Sequence, residues 1–385
     1  MNSSSNMDNS SIESVDTDVA ANGVDVMDAP TPVDIPQQIL EIAPHFTIPD
    51  PMSAPALKWG IMGTGWAASA FADQVPKFST GNIVAVGSRS KDRAERFAKR
   101  NSIPQAYGSY ADLAADPDVE AVYIATPHPA HHELALLALR SGKPVLVEKA
   151  FTLNAQQAED VFMEARVNGL FAMEAMWTRF LPHQLMAREL LSSGALGDIV
   201  SIHAEHGQKL DGVERLEKLD LGGGALLDLG VYPVSFIQSI LGNPEMVDAV
   251  GLVNPEGIDE HETIAMTYVG AIATATSTMR AKTPTTAHVS CRNGCIEFRD
   301  AFYQPGRITV FQEASGTDAL VPTEAFSWTW DGHIQGGFQY QAAEVARCVN
   351  AGLTQSETMP WDDTIAVMEI MDRVRSQLGV RYPGE

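Results

Sequence analysis

The chain has 385 residues, 45% of them hydrophobic, with 49 acidic side chains against 26 Lys and Arg and a formal net charge of −23. That length is enough for two domains, and the charge argues against nucleic acid or an anionic membrane as a partner. Three cysteines give no disulfide framework and fit a reducing cytoplasm.

Residues 1–55 hold nine acidic residues and no Lys or Arg, and are rich in Ser, Asn, Asp and Pro. With no basic n-region this is not a signal peptide. It reads as a disordered acidic tail, with Ile35 to Phe46 as a short amphipathic candidate. A docking tail is the functional alternative, and Met52 is an alternative translation start. No run is expected to reach the ~20 apolar residues of a membrane helix.

Residues 56–178 read as a dinucleotide-binding domain. The apolar run Trp59 to Met62 feeds into Gly63-Thr64-Gly65-Trp66-Ala67-Ala68, a Gly-x-Gly-x-x-Ala. In such a strand-to-helix turn the first glycine allows the tight bend and the second lets backbone approach a pyrophosphate. The small third residue keeps helix and strand close. Free N–H groups and the positive dipole end at the helix start attract the anion. A helix over Ala67–Phe78 and a strand over Ile83–Ser88 complete a βαβ unit.

The second strand ends in Ser88-Arg89-Ser90. An acidic residue here suits a free ribose 2′-hydroxyl, whereas an Arg suits a 2′-phosphate. NADP is therefore preferred and NAD remains possible. The alternatives are that Arg89 is a solvated loop residue, or that Asp92 supplies the carboxylate.

Helices over Lys91–Arg100, Tyr110–Ala115 and His131–Arg140 alternate with strands at Ala121–Ala125, Pro144–Val147 and Leu170–Met173. This alternation predicts a doubly wound parallel sheet of Rossmann type, with ligands at the carboxyl ends of its strands. Thr126-Pro127-His128 with His131, then Glu148-Lys149-Ala150, then Glu174-Ala-Met-Trp177, follow successive strands and should face the nicotinamide crevice.

Residues 179–385 change pattern. Strands are expected at Ile199–His206, Met246–Val253, Thr263–Val269, Ala271–Ala281, Thr286–Phe298 and Arg307–Phe311, with helices at Gly223–Leu241, Phe338–Asn350 and Asp362–Leu378. This is an α+β domain with an open, mostly antiparallel sheet, and the chain as a whole is α/β. Cys291 and Cys295 flank the hairpin signal Asn293-Gly294. Two thiols without a His neighbour make a poor metal site, so no metal is expected. Asp228 and Tyr232, four apart, share one helical face, and a carboxylate beside a phenol suits proton transfer.

These motifs together resemble the glucose–fructose oxidoreductase / inositol dehydrogenase / MocA (Gfo/Idh/MocA) family over about residues 57–385. The branch looks like that of dimeric dihydrodiol dehydrogenase and NADP-dependent D-xylose 1-dehydrogenase. The resemblance implies hydride transfer between NAD(P) and a sugar or diol hydroxyl, and a homodimer built on the C-terminal sheet. It implies catalytic roles for Lys149, Asp228 and Tyr232; a nearby Lys149 ammonium would favour the phenolate, so the Tyr232 pKa is expected below its usual value. Trp177 would line the substrate pocket. Two positions depart from the pattern: Ala150 stands where the family usually has proline, and His206 where this branch often has an aromatic. His206 points to a more polar substrate or a second proton carrier. A redox-neutral glycosidase with tightly held NAD and a non-catalytic nucleotide sensor are the competing readings.

Overall fold

The computed structural model describes residues 33–313 and 326–383. In the first sheet, β1 (Lys58–Met62), β2 (Asn82–Gly87), β3 (Gln105–Tyr107), β4 (Ala121–Ile124), β5 (Val145–Glu148) and β6 (Ala172–Ala175) are ordered β3-β2-β1-β4-β5-β6 and all pair in parallel. Every side chain of β4, β5 and β6 is buried, as continuous apolar strands covered on both faces must be. Strand order reverses between β1 and β4, and that switch point opens the ligand crevice.

The helices of this half are α1 (Gln37–Ile42), α2 (Trp66–Phe78), α3 (Lys91–Arg100), α4 (Tyr110–Ala114), α5 (His131–Arg140) and α6 (Ala155–Asn168). The α3 helix begins where the Ser90 hydroxyl accepts from the Arg93 N–H, and α6 where Asn154 accepts from the Gln157 N–H. These are side-chain caps of ordinary type. Gly169, with φ of 63°, ends α6 in the left-handed region.

The second sheet contains β7 (Ile199–Gly207), β8 (Met246–Val253), β9 (Asp259–Tyr268), β10 (Ala271–Thr278), β11 (Ala287–Cys291), β12 (Gly294–Phe298), β13 (Arg307–Gln312) and β14 (Phe326–Asp331). Its order is β14-β13-β12-β11-β7-β10-β9-β8, antiparallel except where β7 meets β10. Helices α7 (Pro182–Ser192), α8 (Val231–Leu241), α9 (Phe338–Asn350) and α10 (Trp361–Leu378) complete the chain. Helix α8 packs on β7 and β10, and α10 on β8. Val200, Val250, Leu252 and Ile272 remain exposed.

Several expectations change. The expected tail does not extend to residue 55. Residues 1–32 lie outside the described residues, but α1 buries Ile39 completely, and Val33, Ile35, Phe46 and Ile48 pack on the core. Asp34 accepts from the Trp330 indole and Asp50 from Arg347, both through backbone carbonyls. Strands β3 and β14 and helices α6 and α7 had no forecast. The hairpin turn falls on Arg292-Asn293, one residue earlier than its Asn-Gly signal, because Cys291 pairs with Gly294. The stretch Leu219–Leu241 does reach the length and apolarity of a membrane span, contrary to expectation, yet 83% of its window is buried in the protein, as in a core helix.

Candidate active site

At the end of β1, Gly63 has φ of +118°, and a Cβ there would stand 2.2 Å from the Ala125 carbonyl oxygen. Only glycine fits. Gly65 faces open space on its Cβ side and caps α2 with no side-chain hydrogen bond. The first N–H groups of α2 are thus left for an anion. Ala68 is fully buried against the sheet, while Trp66 is 76% exposed beside Phe338. Across the switch point, the Thr126 hydroxyl is buried without a hydrogen-bond partner among the described residues. The glycine cradle, the uncapped helix and the orphaned hydroxyl all fit a bound dinucleotide. Ser88 is buried and Arg89 exposed at the end of β2. The Arg89 guanidinium makes no hydrogen bond or ion pair among the described residues and lies near Tyr110.

His131 is fully buried, with Nδ1 at 3.0 Å from the Ala150 carbonyl and Nε2 at 2.7 Å from the Thr126 carbonyl. Both ring nitrogens face backbone carbonyls, and the one that carries the proton donates to its carbonyl. His131 therefore ties the β4 turn to the β5 turn. The Lys149–Ala150 peptide bond is cis. The Glu148 carboxylate accepts from the buried Tyr123 hydroxyl, and burial pushes its pKa up to about 7. Glu174 does not face the crevice: it has no exposed surface, and burial raises it to about 7 despite nearby Arg179.

Lys149 leaves the end of β5 and meets the segment before α8. Its Nζ donates to the Asp228 carbonyl at 2.7 Å and lies 3.2 Å from Asp228 Oδ1. Asp228 sits in a π-helical turn, Leu226–Gly230, that runs into α8, in place of the uniform helix expected. Such turns widen the helix by a residue and recur at functional sites. Arg215 adds a second cation, 3.1 and 3.2 Å from the two carboxylate oxygens. Burial opposes ionisation of Asp228, but Lys149 and Arg215 outweigh it and hold the carboxyl well below its usual range.

Tyr232 lies beside this ion cluster. Lys149 Nζ stands 4.9 Å from its ring centroid, over the face, and the phenol oxygen accepts from Trp177 Nε1 at 3.3 Å. The expected lowering of the Tyr232 pKa is overturned. Burial and then the charge of Glu148 push it well above the usual phenol value, while Lys149 Nζ directs two hydrogen bonds at Asp228.

An aromatic wall closes the other side. Trp177 stacks on Phe338, with centroids 5.1 Å apart. His206, Tyr232 and Tyr303 surround one another at centroid distances of 4.3 to 5.2 Å. Gln208 donates to His206 Nε2 at 2.9 Å and to the Tyr303 hydroxyl at 3.1 Å. Burial pushes His206 down to about 3, so it is neutral near pH 7 and is no proton carrier there. His128, held by the Gly222 carbonyl, is likewise lowered to about 3 by burial.

The structure thus joins Lys149, Asp228, Tyr232, Trp177 and His206. Sequence reasoning missed Arg215, Tyr303 and Gln208. Arg215 sits in a short irregular turn and Tyr303 between β12 and β13, where no periodicity signals a role. His128 follows Thr126-Pro127 in the turn after β4, and its sequence neighbours give no sign of its contact with Gly222.

Such a cluster beside a glycine-lined switch point defines a two-domain, dinucleotide-dependent oxidoreductase. The chain belongs to the Gfo/Idh/MocA family: residues 57–175 match its oxidoreductase model with NAD-binding Rossmann fold, and residues 185–297 match its C-terminal domain. It is 37% identical over 333 residues to trans-1,2-dihydrobenzene-1,2-diol dehydrogenase of Bos taurus, covering 85% of this chain and 98% of that one. The Homo sapiens enzyme of the same name is 35% identical over 334 residues, with the same coverage. Among solved structures, a 3-ketoreductase from Actinomadura kijaniata in complex with NADP and TDP-benzene is 26% identical, with a TM-score of 0.71, covering 84% of this chain and 98% of that one. Levoglucosan dehydrogenase with NADH and levoglucosan shares the fold, with a TM-score of 0.74 at 18% identity over 84% of this chain and 98% of that one.

Proposed function

We propose that this oxidoreductase transfers hydride between NADP and the hydroxyl-bearing carbon of a small diol or sugar. The observation that carries this reading is the Tyr232 phenol, buried beside Trp177 and the Lys149–Asp228 ion pair. The relatives' names supply the diol and the neighbours' ligands the sugar.

Gly63, Thr64, Gly65, Trp66 and Ala67 would hold the pyrophosphate, and Ser88 with the free guanidinium of Arg89 a ribose 2′-phosphate. Thr126, Pro127 and the Glu148–Lys149 backbone would border the nicotinamide, which accepts or gives the hydride when bound. Tyr232 holds the proton exchanged with the substrate oxygen. In reduction it gives that proton to the new hydroxyl, and in oxidation it takes the hydroxyl proton and releases it to solvent. Lys149 is held in place by Asp228, and Lys149 and Arg215 together keep Asp228 ionised. Trp177, Tyr303 and His206 enclose the substrate, with His206 a neutral wall residue rather than a proton carrier.

We also assign a homodimer built on the second sheet, whose outer face leaves Val200, Val250, Leu252 and Ile272 exposed. Three free cysteines support a reducing, cytoplasmic setting. The test is a screen of trans-diols, aldoses and inositols against NAD and NADP, read by absorbance of the reduced cofactor. Turnover with NADP and at least one diol or aldose is expected. Absence of turnover with every compound would remove the assignment.

A further inference from the structure

A cavity of about 290 Å³ lies between residues 46–49, α7 and α9. Phe46, Phe180, Leu185 and Tyr340 give it apolar walls, and Arg188 and Arg347 bring cations. Its size is near the lower end for small-molecule sites, ~300 Å³.

Two cations, Arg188 and Arg347, and two carboxylates, Glu189 and Glu344, line the cavity, and they are not paired evenly. Arg347 is occupied: it donates to the Asp50 carbonyl at 2.7 Å and faces Glu344 at 3.9 Å. Glu344 in turn accepts from the Ser356 hydroxyl at 2.6 Å. Arg188 makes no hydrogen bond or ion pair among the described residues, and its Nη1 is fully buried. Its neighbour in sequence, Glu189, also borders the cavity, but no ion pair joins the two side chains among the described residues, as expected for adjacent helical positions. The Tyr340 hydroxyl, too, has no hydrogen bond among the described residues. Burial and the nearby charge of Arg179 weaken the Arg188 proton's hold, with only Asp363 opposing them. A partly buried cation without a partner gains from an incoming anion, and small molecules bind in apolar pockets with a few convergent polar groups.

We propose that this cavity binds a small organic anion, its carboxylate or phosphate on Arg188 and Tyr340 and its apolar body against Phe46, Phe180 and Leu185. The site is separate from the dinucleotide cradle.

The test is calorimetric titration of the full chain, saturated with NADP, with benzoate and with phenyl phosphate, and with benzyl alcohol as the uncharged control. The two anion arms separate carboxylate from phosphate preference, and binding of either supports the site. Arg188→Met should weaken anion binding about tenfold or more, and should raise Tm without ligand because it removes an unpartnered, partly buried charge. Tyr340→Phe should weaken binding by a smaller factor. Unchanged anion affinity in Arg188→Met would overturn the proposal, as would no saturable binding of either anion at ~10 mM. A lowered Tm in ligand-free Arg188→Met would assign the guanidinium to holding the fold, and would overturn it as well.

Discussion

Asp228 shows how much one side chain can organise. It touches Lys149 through both its carbonyl and its carboxylate and also takes Arg215, so Asp228→Asn leaves two cations without their counter-charge. We expect this variant to lose roughly 10²-fold in kcat, with its dinucleotide Kd little changed in a fluorescence titration. The raised Tyr232 pKa fixes the sign of one pH effect: a phenol that keeps its proton suits reduction at neutral pH, while oxidation needs it deprotonated. Oxidation should therefore speed up as pH rises above neutrality, and a pH profile of kcat in each direction checks this. His206 is lowered to about 3, so His206→Phe should leave the profile between pH 5 and 8 unchanged. Glu174 gives a stability test. Its folded pKa of about 7 exceeds the unfolded value of ~4.3, so the native state binds more protons across that window. Its contribution is full below about pH 4.3 and is lost as pH rises toward 7. Glu174→Gln should flatten the fall in Tm over that range, measured by calorimetry in parallel with wild type.

At the scale of elements, backbone fit sets the tolerances. Gly63→Ala would drive a methyl into the Ala125 carbonyl at 2.2 Å, moving the β1 turn and with it the start of α2. Loss of dinucleotide binding, with far-UV circular dichroism preserved, is the expected result. Arg179, from the turn after β6, donates to Asp363 on α10 and to Ser235 and Gln238 on α8, so it clamps three elements. Arg179→Met should cost roughly 3 kcal/mol in denaturant unfolding. Much of this scale was legible in sequence. Helices α3, α5 and α9 have the bounds that periodicity and capping residues indicated, and the glycine turn announced β1 and α2. The short strand β3 carries too few residues for a pattern, and the π turn leaves no compositional mark. Arg215 and Tyr303 reach the site through tertiary packing, and no local signal encodes that.

Over the whole molecule, the two sheets divide the labour. The parallel sheet presents its strand ends to a ligand, and the second sheet carries α8, and so Tyr232, to the same place. The outer face of the second sheet keeps Val250 and Ile272 exposed at 72% and 57%, more apolar surface than lone residues explain. Val250→Glu with Ile272→Glu should convert a dimer to a monomer in light scattering after size exclusion. A wild type that is already monomeric would remove the dimer assignment.

The most direct measurement compares wild type with Tyr232→Phe and Lys149→Met on a diol or sugar that the wild type oxidises, with dinucleotide Kd determined for each. The geometry predicts kcat lower by ~10²–10⁴-fold in both variants, at nearly unchanged dinucleotide affinity. Turnover at the wild-type rate in either variant would contradict it.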